Sequence, residues 1–107
     1  NGCGYCVSAH GALGRLNGLS PDEIEAARAG RGASSREHAI FGLVRRVVRT
    51  GGAGAGTDLA RAREAGLSDA EVVEVLAHVS LKTFTNAVAI LAQTEIDFPK
   101  QPRLPAA

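Results

Sequence analysis

Cys3-Gly4-Tyr5-Cys6-Val7-Ser8-Ala9-His10 holds the only two cysteines of the chain, in a C-x-x-C spacing, with a histidine one helical turn after the second. On a helix advancing about 100° per residue, positions 3, 6 and 10 fall within roughly 60° of one another. Two thiols so spaced can close a small disulfide, and an imidazole at i,i+4 can take a proton from the nearer one. A thiol attacks only as its thiolate, and the start of a helix favours that negative charge through its free amides and dipole. The pattern therefore points to thiol redox chemistry. His10 sits beside Cys6, which makes Cys6 the expected attacker of an oxidant and Cys3 the thiol that resolves the sulfenic acid into a disulfide. A dithiol partner would then reduce the pair by exchange.

The same residues admit a second chemistry. C-x-x-C is also a metal spacing, so Cys3, Cys6 and His10 could be three zinc ligands, with His38, His78 or a carboxylate as the fourth. The plain structural alternative is two packed cysteines beside a hydrogen-bonded histidine. Composition narrows the function classes. A chain of 107 residues, 45% hydrophobic, has the length of one domain. A net charge of +1 with scattered arginines and four aromatic residues (Tyr5, Phe41, Phe84 and Phe98) does not resemble a nucleic-acid footprint. Arg45, Arg46 and Arg49 read as the solvated face of a helix. No apolar run reaches the length of a membrane span and no signal peptide is visible, so a cytoplasmic setting is expected. The chain contains no methionine, so the domain is expected to be truncated at its N-terminus.

The elements that must position this chemistry are all helical. Ser20-Pro21-Asp22-Glu23, Ser34-Ser35-Arg36-Glu37 and Ser68-Asp69-Ala70-Glu71 have the form of capping boxes. The first and third lie in similar heptads, Gly18–Ile24 and Gly66–Val72, which either a duplication or a reused helix–helix corner would produce. Five helices are predicted, over about Cys3–Leu16, Pro21–Ala29, Ser35–Arg49, Asp58–Ala65 and Asp69–Thr94. The third carries an apolar stripe of Ala39, Ile40, Leu43, Val44, Val47 and Val48. The glycine-rich run Gly51–Gly56 reads as a flexible connector that lacks the residues of a phosphate loop. The fifth helix is apolar on nearly every side from Val72 to Leu91, which predicts burial on all faces. No segment alternates like a strand. The chain is thus expected to be an all-α domain over 1–99, followed by a proline-rich tail over 100–107 that carries Pro102 and Pro105.

Two polar residues interrupt the fifth helix. His78 and Asn86 are either satisfied within the core or line a pocket beside the cysteines. His38, in the first turn of its helix and opposite the apolar stripe, is expected to be exposed.

The stretch Asn1–His10 resembles the active-site signature of the alkylhydroperoxidase AhpD-like branch of the carboxymuconolactone decarboxylase superfamily. Val75–Asn86 and Ile96-Asp97-Phe98-Pro99 are similar to the same branch. The resemblance implies an all-helical, AhpD-like fold that assembles as a homo-oligomer (dimer, trimer or hexamer). It implies a peroxidase that needs no metal or organic cofactor, with peroxide as substrate and a dithiol or lipoyl-type protein as reductant. Cys6 would attack the peroxide, Cys3 would resolve and face the reductant, and His10 would belong to a proton relay. The relay of this family also uses a glutamate on the preceding helix, a position that would fall before Asn1. Tyr5 stands between the cysteines, where its hydroxyl could donate to a peroxide oxygen. The alternative reading is a zinc-binding or redox-sensing helical module without peroxidase turnover.

Overall fold

The computed structural model describes residues 1–102, so the expected tail over 100–107 lies outside the described residues from position 103 onward. Among the described residues there are five α-helices and no strand. They are α1 (Gly4–Leu16), α2 (Pro21–Arg28), α3 (Ser35–Thr50), α4 (Gly56–Glu64) and α5 (Asp69–Leu91). The all-α expectation is met. The helix boundaries follow the local chemistry of their caps.

Two of the three capping boxes close in full. The Ser20 hydroxyl accepts from Glu23 N–H at 3.2 Å and the Glu23 carboxylate accepts from Ser20 N–H at 2.8 Å; Ser68 and Glu71 repeat both distances. These amides hold both carboxyls below their ordinary value of 4.5, through the Ser20 backbone N–H for Glu23 and the Ser68 backbone N–H for Glu71. The box at α3 is displaced. Ser34 caps Glu37 N–H, but the Glu37 carboxylate passes over its own cap residue and accepts from Ala33 N–H at 2.6 Å.

The two similar heptads form the same corner. In each, a glycine with positive φ (Gly18 at 88°, Gly66 at 89°) ends one helix, and the following leucine N–H reaches back to the carbonyl five residues earlier. This is the Schellman closure, for which glycine removes the Cβ clash of the left-handed region. α5 ends by the same pairing on a non-glycine residue. Gln93, at φ 50°, donates to Ile90 C=O while Thr94 N–H reaches Ala89 C=O. That closure stops the helix at Leu91, short of the predicted Thr94.

The chain forms two compact units, Asn1–Ala29 together with the chain from Lys82 onward, and Gly30–Leu81. In the second, α3 packs on α4 around buried Leu43, Ala62 and Leu67, with Ile40, Val47, Val72 and Val75 against them. Arg46–Asp58 at 2.8 Å and Arg36–Glu71 at 2.5 Å tie its helices together. In the first unit α1 crosses α2 at Gly14, where a Cβ would meet Ile24 at 3.3 Å. The segment after α5 then runs along α1. Ile96 lies over Gly4, the Phe98 ring meets Tyr5 edge-on at 5.7 Å, and Gln101 N–H donates to the buried Ser8 hydroxyl at 3.3 Å.

α5 departs from expectation. Predicted to be buried on all faces, it contains no buried residue, and Val73, Phe84 and Leu91 are 64%, 67% and 84% exposed. Val72 and Val75 reach the core, but an apolar pattern records only what a helix offers for burial. It does not record how many neighbours the chain supplies.

Candidate functional site

α1 begins at a sulfur. Cys3 is its N-cap, in an extended conformation, and the Cys3 Sγ accepts from Cys6 N–H at 3.1 Å. Sulfur here takes the place usually filled by a serine or aspartate oxygen. The spacing that lets Cys3 Sγ reach the third helical residue also brings it to the Cys6 side chain, and the two are joined in a disulfide, with Cα atoms 5.3 Å apart. Cys3 is 4% exposed and Cys6 half-buried. The resemblance assigned Cys3 to face the reductant; within the fold it is the more buried of the two residues.

His10 stands on the same face of α1, but its contact is not with sulfur. Its Nδ1 lies 2.7 Å from Cys6 C=O. A carbonyl can only accept, so Nδ1 carries the hydrogen that makes this bond. Nε2 is therefore the ring nitrogen left to exchange a proton, and the ring is exposed.

Both cysteines and His10 line a cavity of about 400 Å³ in the first unit. One wall is apolar, formed by Val7, Gly11, Gly14, Leu19, Ile24 and Ala27. Asn86 also lines it, and its Oδ1 accepts from Asn1 Nδ2 at 2.9 Å. Two further lining residues, Lys82 and Arg28, were missed in the sequence. Lys82 was open to detection, because it lies one helical turn before Asn86 and so shares its face. Arg28 gave no such signal. It donates to Glu25 of its own helix at 2.8 Å and to Pro102 C=O in the segment folded back over α1.

Two of the expected pocket residues are not brought to this cavity. Tyr5 packs its ring on Phe98 instead. His78 belongs to the second unit, exposed on α5, with Nε2 3.8 Å from Glu74; it is neither a core histidine nor a lining residue. His38 is exposed, as predicted. It lines a broader basin of about 790 Å³ in the second unit with Arg45, Arg46, Arg49 and Arg61. The arginines read as a solvated face thus form one side of a concave surface.

Among the described residues, no group of three or more His, Cys, Asp or Glu side chains is arranged to hold a metal ion, and no helix is long and apolar enough to cross a membrane. Comparison of the chain with protein-family models, with curated proteins and with solved structures finds no match in any of the three. The chemistry of the site rests on its own residues: a reversible sulfur–sulfur bond at a helix start, an imidazole with a free Nε2, and a cavity that reaches all three.

Proposed function

We propose that this chain is a thiol-dependent peroxidase of the alkylhydroperoxidase type, cycling through a Cys3–Cys6 disulfide. The observation that carries the reading is the disulfide itself, closed across the N-terminus of α1 and lining one cavity with His10. In the reduced protein the Cys6 thiolate attacks the outer oxygen of a hydroperoxide. The O–O bond breaks, Cys6 becomes the sulfenic acid, and the alkoxide leaves as an alcohol with a proton relayed by His10 Nε2. Cys3 Sγ, which accepts from the Cys6 amide at 3.1 Å in the closed disulfide, then attacks the Cys6 sulfur. The Cys3 thiol proton passes to the sulfenic oxygen, which leaves as water, and the disulfide returns. An external dithiol, of the lipoyl or protein type, restores the two thiols in a cytoplasmic setting. Relationship to the AhpD-like branch of the carboxymuconolactone decarboxylase superfamily, and assembly as a homo-oligomer, belong to the same proposal; the uncovered apolar residues of α5 accord with assembly.

The test is single-turnover oxidation of the reduced protein by cumene hydroperoxide in wild type, Cys6→Ser and Cys3→Ser. Cys6→Ser should be inert. Cys3→Ser should react once and stop at a sulfenic acid that dimedone traps. Rapid oxidation of Cys6→Ser would reverse the two roles, and inertness of the wild type would remove the peroxidase reading.

A further inference from the structure

The cavity around the disulfide has a one-sided charge. Among the described residues, its charged lining side chains are Lys82 and Arg28, both cationic, and no carboxylate side chain lines it. Arg28 is compensated by Glu25 at 2.8 Å and its side chain is only 14% exposed. Lys82, exposed on α5, makes no ion pair with any described residue. One ammonium without an ion-pair partner among the described residues therefore lines the same open cavity as two sulfurs and an imidazole. Its volume of about 400 Å³ suits a small molecule.

We infer that Lys82 is a specificity-determining residue that selects a small dithiol bearing a carboxylate as the reductant of the Cys3–Cys6 disulfide. The inference rests on the disulfide cycling proposed above and adds the charge class of the molecule that closes the cycle. The attacking species in thiol–disulfide exchange is already an anion. A second negative charge on the same small molecule is unfavourable in a neutral site and favourable beside an unpaired ammonium.

The step balances as follows. The thiolate of the reductant attacks Cys6 Sγ, the sulfur of the less buried residue, and forms a mixed disulfide. The Cys3–Cys6 bond breaks, and Cys3 Sγ leaves with the electron pair onto the Cys6 N–H that already bonds it at 3.1 Å. A second reductant thiolate attacks the reductant sulfur of the mixed disulfide and expels the Cys6 thiolate. Two thiols are oxidised to one disulfide, and the two cysteines take up the protons.

The experiment uses oxidised protein at low ionic strength and three probes: mercaptoacetate, 2-mercaptoethanol and cysteamine, which are anionic, neutral and cationic away from sulfur. Each rate of disulfide reduction is divided by the rate of the same thiolate toward a small neutral disulfide. Wild type should favour mercaptoacetate over cysteamine by about tenfold, the combined scale of attracting one charge and repelling its opposite beside an exposed ammonium, and added salt should compress the ratio. Lys82→Gln should abolish the preference and Lys82→Arg should restore it. Arg61→Gln, an equal loss of charge in the other unit, should leave it intact. Equal normalised rates in wild type, or a preference that survives Lys82→Gln, would overturn the inference. Neither result bears on whether peroxide re-forms the disulfide, and a protein inert to peroxide that still showed the charge preference would fail only the peroxidase reading.

Discussion

The sulfur cap of α1 can be separated from the disulfide by two substitutions at one position. Cys3 Sγ accepts the amide of the third helical residue at 3.1 Å, so serine at this position keeps the acceptor while alanine removes it. Loss of a capping side chain costs about 1 kcal/mol. The disulfide adds a separate quantity. Closing a loop with a sequence separation of 3 removes chain entropy worth about 2 kcal/mol on the loop-closure estimate. Urea unfolding followed by helical circular dichroism, with and without dithiothreitol, isolates the two. Under reducing conditions wild type and Cys3→Ser should unfold together, and Cys3→Ala should lie about 1 kcal/mol lower, or about 4–8 °C in melting temperature for a domain of this size. Without reductant, wild type alone should gain the further 2 kcal/mol. If Cys3→Ala matches Cys3→Ser in dithiothreitol, the sulfur does not cap the helix, and its role as a stabilised leaving thiolate loses its structural basis.

Four further outcomes are expected. Leu43→Ala, which empties a 3%-exposed site in the core of the second unit, should cost about 2–5 kcal/mol by urea unfolding. Gln93→Gly should stabilise by about 1 kcal/mol, since it relieves a side chain at φ 50° in the closure after α5. The folded carboxyls of Glu23 and Glu71 lie below 4.5, so their contribution is full above that pH and is lost as pH falls below it; the Glu23→Gln/Glu71→Gln double variant should flatten the acid limb of stability against pH. His10→Ala should slow peroxide oxidation near neutral pH and recover as rising pH ionises the thiol unaided; a defect independent of pH would refute the relay.

The helices were legible in the sequence because their ends are written locally. Serine–glutamate boxes and the Gly18 and Gly66 corners act within a few residues, and their hydrogen bonds form as the spacing requires. The exceptions are also local: Glu37 reaches one residue further back than its box predicts, and Gln93 occupies a position normally read from a glycine. The Cys3, Cys6 and His10 face was legible for the same reason, since helical period alone sets it. The rest of the site was not. Arg28 enters it, and Tyr5 is diverted from it, through the segment from Ile96 to Pro102 folded back over α1, a contact between distant positions that no periodicity encodes. The atom His10 bonds was equally hidden, because i,i+4 spacing brings its ring near Cys6 without distinguishing carbonyl from sulfur.

The most direct test of the account is the intact mass of the fully reduced protein before and after a brief, stoichiometric dose of cumene hydroperoxide, with peptide mapping of the product. The account predicts rapid loss of two hydrogens, located to a bond between Cys3 and Cys6. An unchanged mass, with both thiols still free after the peroxide has been in contact with the protein, would contradict it.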